Sequence, residues 1–411
     1  MKSVAFLITL AITLSTSVQA ESLKVRGLIQ GSLALSVDDE LSFTEGGTGI
    51  LRYDADNKLQ LSQALLELSG DLTDYVSWHS VLNATHSPSS HAGLTQLSIK
   101  YKPIWSSKYR WQFKAGMFYP EFGFENPDIG WLSPYTYTNS AISSWIGEEV
   151  RTLGGEFKVT RPGRFHNRSP HTFAFSGAVY KGNDPAGTLL AWRGWGLHDK
   201  QSIVNERVFF ADYPSIGEGQ ALAPQANWVE PYREIDGRWG YQMGLHWDYQ
   251  KTSRLRYHYF NNNADETVLA RGGQYAWHTI FHSLSWQYRF DRNWRLIMHG
   301  MHGRTAMGPG AVLVGFNSWY AMIAYRDKQH NFALRFDDFN TIDKDTLIPE
   351  DNNNGHGWGL TAAYRYNLDE HWQIGTELLL TETWQASRQQ FTDTDAKLSQ
   401  QQLLAVVQFR F

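Results

Sequence analysis

The charged residues that could act on a passing solute fall into two sets. Three acids, Glu121, Glu125 and Asp128, lie close together in one segment that lacks strand alternation. The bases lie on one face of several alternating segments, and they are Lys114, Arg254, Arg256, Arg295, Arg335 and Arg365. Acids that face bases across a narrow space create an electric field, and such a field selects ions by charge. The alternative is that the acids point outward and the bases remain solvated.

Catalytic and metal chemistry find little support in the sequence. No G-x-S-x-G element occurs, and the neighbours His282 and Ser283 would point to opposite faces of a strand. The fifteen histidines show no H-E-x-x-H spacing. The run from Asp351 to Gly355 lacks the alternating acids and the distal Glu of a calcium loop, and it is typical of a turn. We expect no catalytic residue, metal, cofactor or nucleic-acid partner.

The first twenty residues are typical of a secretory signal peptide. Lys2 supplies a positive charge, Val4 to Leu14 form a short apolar core, and Val18 and Ala20 are the small residues before the cleavage point. We expect cleavage after Ala20 and a mature chain, residues 21–411, that forms a single domain. The chain has no cysteine, so its fold does not depend on disulfides.

The elements that position the charged residues show a period of two. Near the C-terminus, apolar Leu403, Ala405 and Val407 alternate with polar Gln402 and Gln408, which predicts a strand with one apolar face. Sixteen such segments are predicted, at 23–37, 58–70, 74–86, 94–102, 109–119, 148–160, 171–183, 237–249, 253–263, 276–290, 293–305, 311–326, 330–340, 356–367, 371–384 and 398–411. No comparable helical stripe is present.

The connections between these segments alternate between short and long. Short turns such as 251–252 and 291–292 alternate with long loops such as 120–147 and 184–236. The mean hydropathy is −0.43 although 14% of residues are aromatic, a combination that suits a wall with one lipid face and one wet face. These features predict an all-β fold: a transmembrane, antiparallel, up-and-down β-barrel of about sixteen strands with short periplasmic turns and long extracellular loops. Sixteen strands enclose an aqueous channel.

On these features the sequence resembles the porin superfamily of Gram-negative outer membranes. The last strand ends Gln408-Phe409-Arg410-Phe411, and a terminal Phe is similar to the signal read by the barrel-assembly machinery. The resemblance implies an outer-membrane location, contact with lipid and lipopolysaccharide, and a homotrimer. It also implies that loop 120–147, the third long loop, folds into the lumen and narrows it.

The expected function is passive diffusion of small hydrophilic solutes through a water-filled channel. The arginines favour weak anion preference. The aromatic residues of loop 184–236 leave a saccharide-selective channel open, although packing on the barrel mouth is the favoured explanation. These residues are Trp192, Trp195, Phe209, Phe210, Tyr213, Trp228 and Tyr232. A non-conducting structural or receptor barrel is a further alternative, and an outer-membrane enzyme is not expected.

Overall fold

A computed structural model describes residues 23–36, 42–53, 59–86, 91–104, 107–345, 347–348, 351–392 and 394–411. The expected signal peptide lies outside these residues. The barrel strands are β1 (Lys24–Ser36), β2 (Leu59–Thr73), β3 (Val76–Thr85), β4 (His91–Tyr101), β5 (Arg110–Phe118), β6 (Thr152–Arg161), β7 (His171–Lys181), β8 (Gly240–Tyr249), β9 (Ser253–Asn261), β10 (His278–Arg289), β11 (Trp294–Met307), β12 (Val312–Arg326), β13 (His330–Asp343), β14 (Gly355–Asn367), β15 (Trp372–Gln385) and β16 (Lys397–Arg410).

These sixteen strands form one closed barrel in which each strand pairs with its neighbours in sequence. All pairings are antiparallel, and β1 closes the sheet against β16 with Leu28 opposite Arg410 and Ser36 opposite Gln402. The predicted fold class is therefore confirmed. Each predicted segment corresponds to one strand, and the largest error at a strand start is at β6, which begins at Thr152 instead of residue 148.

The alternation along each strand separates an outer apolar face from an inner face. In β16 the side chains of Leu403 and Val407 are 41% and 45% exposed on the outside, whereas Gln402 and Gln408 are buried inside. This is the arrangement of a wall between lipid and lumen. The predicted apolar face of β16 is therefore the outer face of the barrel. Because side chains alternate along a strand, this also fixes the face on which the charged residues of β16 lie.

Three periplasmic turns use the same local device. The side-chain carboxylates of Asp291, Asp327 and Asp369 each accept hydrogen bonds from the backbone N–H groups two and three residues ahead, at 2.6–2.8 Å. Asp favours such turns because its short side chain satisfies backbone donors that the sheet leaves free. These contacts set the register in which the next strand starts.

Segments of the chain pack inside the lumen. The sixteen strands therefore do not enclose the wide aqueous channel that their number predicts. Two short helices lie among these segments, α1 (Ala141–Glu149) and α2 (Thr188–Trp192). Within the described part of the chain, neither is long and apolar enough to cross a bilayer. The largest apolar cluster combines inner-wall residues with α1, including Trp145, Phe281 and Phe316.

Candidate permeation site

The connection between β5 and β6, residues 119–151, crosses the lumen; we call it the inner loop. Its residues Phe122, Glu125 and Thr136 are almost completely buried, as is every residue of α1. The loop leaves the wall at the end of β5, and eight strands away the backbone N–H of Ala141 donates to Asp337 of β13 at 3.2 Å. Further contacts hold it to the wall beyond β13, where Tyr137 N–H donates to Glu377 of β15 at 2.6 Å and Gly130 N–H to Glu67 of β2 at 3.2 Å. The loop therefore spans the barrel from wall to wall.

Arg335 of β13 anchors the inner loop. Its guanidinium donates to Asp337 at 2.6 Å and to Glu125 at 3.1 Å, and also to the hydroxyl of Thr136 and the carbonyl of Thr138. Arg335 is fully buried, so it does not line an open pore as the sequence suggested. A buried cation of this kind is stabilised only by complete pairing.

The neighbouring strands hold the same loop segment. Arg365 of β14 donates to the carbonyl of Thr136, and its guanidinium carbon lies 4.0 Å from the centre of the Tyr137 ring. Glu377 accepts hydrogen bonds from the backbone and hydroxyl of Thr138 at 2.9 and 2.7 Å. Arg365 thus also faces inward but binds the loop rather than an open lumen.

The three acids of the inner loop that the sequence singled out, Glu121, Glu125 and Asp128, each pair directly with a base of the wall. Glu121 accepts from Lys158 at 2.6 Å, Glu125 from Arg335, and Asp128 from Arg410 at 2.8 Å. Burial acts to raise the pKa of Glu121, but the ammonium groups of Lys158 and Lys114 outweigh it and hold that pKa well below its usual range. The expected field between separated charges is replaced by contact ion pairs.

Lys114 is likewise paired and does not contribute a free charge. Its ammonium lies 3.3 Å from Glu156 of the adjacent strand and 3.7 Å from the centre of the Phe118 ring. Lys114 and Glu156 are cross-strand partners in the β5–β6 register, which explains their contact.

The remaining bases surround a cavity of about 410 Å³ between the inner loop and β9–β12. Five arginines line it, and they are Arg254, Arg256, Arg289, Arg295 and Arg326. We call it the arginine cavity. It lies toward the periplasmic end of the barrel, since Arg289 and Arg326 are the last residues of β10 and β12 before short turns.

Pairing within the arginine cavity is incomplete. Asp248 lies 3.4 Å from Arg254 and 2.7 Å from Arg256. Within the described ranges, no carboxylate lies within 4 Å of the guanidinium nitrogens of Arg289, Arg295 or Arg326. The nearby acids of the inner loop are paired with other bases. The cavity therefore carries net positive charge.

Sequence reasoning missed Arg289 and Arg326. Both continue the inward-facing alternation of their strands, so the period-two pattern could have found them. They stand at strand ends next to the turns, where a rim position outside the lumen is the simpler interpretation of sequence alone.

A second group of segments fills the lumen on the extracellular side. Asp199 accepts from Arg52 at 2.6 Å, and both side chains are buried. The Glu149 carboxylate accepts from the backbone of Leu189 at 3.0 Å and from Gly187 at 3.2 Å, at the start of α2. Burial raises the pKa of Glu149 to about 7 despite these donors.

Most aromatic residues of loop 184–236 pack into this second group. Trp192, Phe210 and Tyr213 are buried against one another, with ring centres 5.8–6.4 Å apart. Tyr232 lies under the Arg151 guanidinium at 4.2 Å. These contacts favour packing at the barrel mouth over stacking on sugars.

Solved structures with the same architecture are found, whereas no protein-family model and no curated protein matches the chain. A trimer form of OmpT, an outer membrane protein of Vibrio cholerae, has a TM-score of 0.53 at 7% identity, covering 96% of this chain and 100% of that one. The outer membrane channel DcaP of Acinetobacter baumannii has a TM-score of 0.51 at 9% identity, covering 95% and 97%. An anion-selective porin from Comamonas acidovorans has a TM-score of 0.50 at 12% identity, covering 95% and 100%.

This chain has the outer-membrane porin fold. Because the sequence identities are low, the similarity shows the fold of this chain but not which solute it transports. In this porin fold, the arginine cavity is a part of the described lumen where guanidinium groups without carboxylate partners border open space.

Proposed function

We propose that the chain is a channel through which small hydrophilic solutes cross the outer membrane by passive diffusion, with a preference for anions. The observation that supports the preference is the arginine cavity, where Arg289, Arg295 and Arg326 face the lumen without carboxylate partners among the described residues. Cationic groups in a confined path of low dielectric concentrate anions and exclude cations.

The packed inner loop makes this channel narrow. Solutes must pass between the loop and the wall, so we expect a conductance well below that of an empty barrel of sixteen strands. One structurally similar protein is described as an anion-selective porin, although the likeness extends to the fold alone.

Reversal potentials across planar bilayers with a salt gradient test the proposal. The folded protein should give discrete channels that favour anions. Arg295→Glu should shift the reversal potential toward cations. Arg292→Glu is the matched control, because Arg292 is exposed in the turn between Arg289 and Arg295 and does not line the cavity. A folded protein that conducts no ions would leave the structural-barrel alternative in place.

The proposal extends to the molecules that the barrel contacts in the outer membrane. We propose that lipid and lipopolysaccharide contact the outer wall, that the strand ending at Phe411 is read by the assembly machinery, and that the chain forms a homotrimer. One similar structure is described as a trimer form. The protein is proposed to lack enzymatic activity and to bind no metal or cofactor.

The saccharide-selective alternative makes a different prediction. Liposome swelling with neutral sugars would then be faster than with small anions of equal size. The packing of Trp192, Phe210 and Tyr213 on one another argues against it, because stacking on a sugar needs a ring face that borders open space.

A further inference from the structure

The arginines of the arginine cavity form a continuous arc across four adjacent strands, β9 to β12. Arg289 of β10 and Arg295 of β11 are direct cross-strand partners, and both line the cavity. Like charges directly opposite one another on a sheet destabilise it. An anion held between the two guanidinium groups would remove this repulsion.

Several buried polar atoms of the cavity lining lack a hydrogen-bond partner among the described residues. They are Nε of Arg289, Nε of Arg295, Oε1 of Gln287 and Nδ1 of His299. Gln287 and His299 are both more than nine-tenths buried. Three of the four atoms can donate to an oxyanion, which matches a ligand with several acceptor oxygens.

The other wall of the cavity belongs to the inner loop and contains the rings of Phe124 and Tyr135. It also contains Glu121 and Glu125, whose carboxylates are paired with Lys158 and Arg335. The Phe124 ring lies 4.8 and 5.1 Å from the guanidinium carbons of Arg254 and Arg256. The Tyr135 ring lies 5.7 and 5.9 Å from those of Arg295 and Arg326. Flat apolar surfaces beside a cluster of cations suit a ligand with a planar body and a charged head.

The size of the cavity also argues against an inorganic ion alone. A volume of about 410 Å³ is in the range of pockets that hold small organic molecules. A phosphate monoester carries nearly two negative charges and three acceptor oxygens, and the guanidinium fork matches phosphate geometry.

We infer that the arginine cavity is a saturable binding site for a phosphate monoester with a planar body, such as an aryl or nucleoside phosphate. Its phosphate lies between Arg289, Arg295 and Arg326, and its ring lies against Phe124 or Tyr135. The inference deepens the proposed function and rests on it, since a site in the lumen selects solutes only if solutes pass.

Isothermal titration calorimetry of the folded protein in detergent with phenyl phosphate tests the site. We expect one saturable site per chain, and binding about tenfold weaker in Arg295→Gln, which removes a charged hydrogen bond. Arg292→Gln in the same hairpin should bind like the parent protein. A change in gel mobility after boiling verifies that each variant is folded.

Three comparisons isolate the two parts of the ligand. Phenol and inorganic phosphate should each bind at least tenfold more weakly than phenyl phosphate. Phe124→Leu should weaken binding of phenyl phosphate and leave that of inorganic phosphate unchanged. Absence of saturable binding, equal loss in Arg295→Gln and Arg292→Gln, or equal affinity for inorganic phosphate would overturn the inference.

Conductance recorded on the same preparation separates this inference from the proposed function. Ion conduction without phenyl phosphate binding would reject the site and keep the channel. Binding without any conduction would reject the channel and keep the site.

Discussion

At the residue scale, pairing decides which charges of the lumen remain available to solutes. Arg335 and Arg365 are inward-facing, yet their guanidinium groups donate hydrogen bonds to the inner loop. Arg289, Arg295 and Arg326 are inward-facing and have no carboxylate partner in the described structure. The same residue type therefore has two roles, one in holding the loop and one in attracting anions.

Arg335→Gln should loosen the inner loop. The substitution leaves the buried carboxylates of Glu125 and Asp337 without their cation, which typically costs about 3–5 kcal/mol. Undocking of the loop relieves this cost while the wall keeps its strand pairing. Single-channel recordings should show larger and more variable currents than those of the parent protein.

The control for this prediction is Arg292→Gln, which changes an exposed arginine of a periplasmic turn. Unaltered current amplitude and noise in folded Arg335→Gln would show that Arg335 does not hold the loop in the lumen.

The residue types of the site could be predicted from the sequence, but their partners could not. The alternation of apolar and polar residues along β13 predicts that Arg335 lies on the inner face, because the apolar face of each strand must contact lipid. Its partner Glu125 lies 210 positions away in sequence. Such a contact depends on the path of a loop, and no local pattern encodes that path.

At the element scale, the strands could be predicted because each one separates lipid from lumen. Helix α1 could not, because all nine of its residues are buried. A helix with no solvent face shows no amphipathic stripe. The predicted start of β6 at residue 148 therefore falls within α1.

Replacing residues 120–150 with a short Gly-Ser turn should open the lumen. Phe118 and Thr152 are cross-strand partners at the ends of β5 and β6, so a tight turn can join them. The wall loses no strand pairing, and a barrel of this strand number is wide enough for water. Single-channel conductance should rise several-fold.

The matched deletion removes residues 218–221 from the long loop between β7 and β8, which are exposed and do not enter the lumen. This variant should conduct like the parent protein. Equal conductance of both deletion variants and the parent would mean that the inner loop does not limit ion flow.

At the scale of the whole molecule, closure of the barrel depends on the seam between β1 and β16. The backbone of Gly27 and that of Phe411 exchange two hydrogen bonds, at 2.8 and 3.2 Å. The Phe411 ring lies over Gly27, so that a Cβ at this glycine would fall 2.0 Å from a ring atom. The terminal ring thus occupies the space that a side chain at Gly27 would fill.

Gly27→Val should therefore lower the thermal stability of the folded barrel, because the added side chain must displace the Phe411 ring from the seam. Gly31→Val is the matched control on the same outer face of β1, where the nearest atoms to an added Cβ lie 3.9 Å away. Valine is otherwise favoured in strands, so the control should be as stable as the parent or more so. The temperature at which the heat-treated protein changes its gel mobility measures the difference. If both valine variants melted together, packing of Phe411 on Gly27 would not stabilise the seam, and strand hydrogen bonding alone would account for closure.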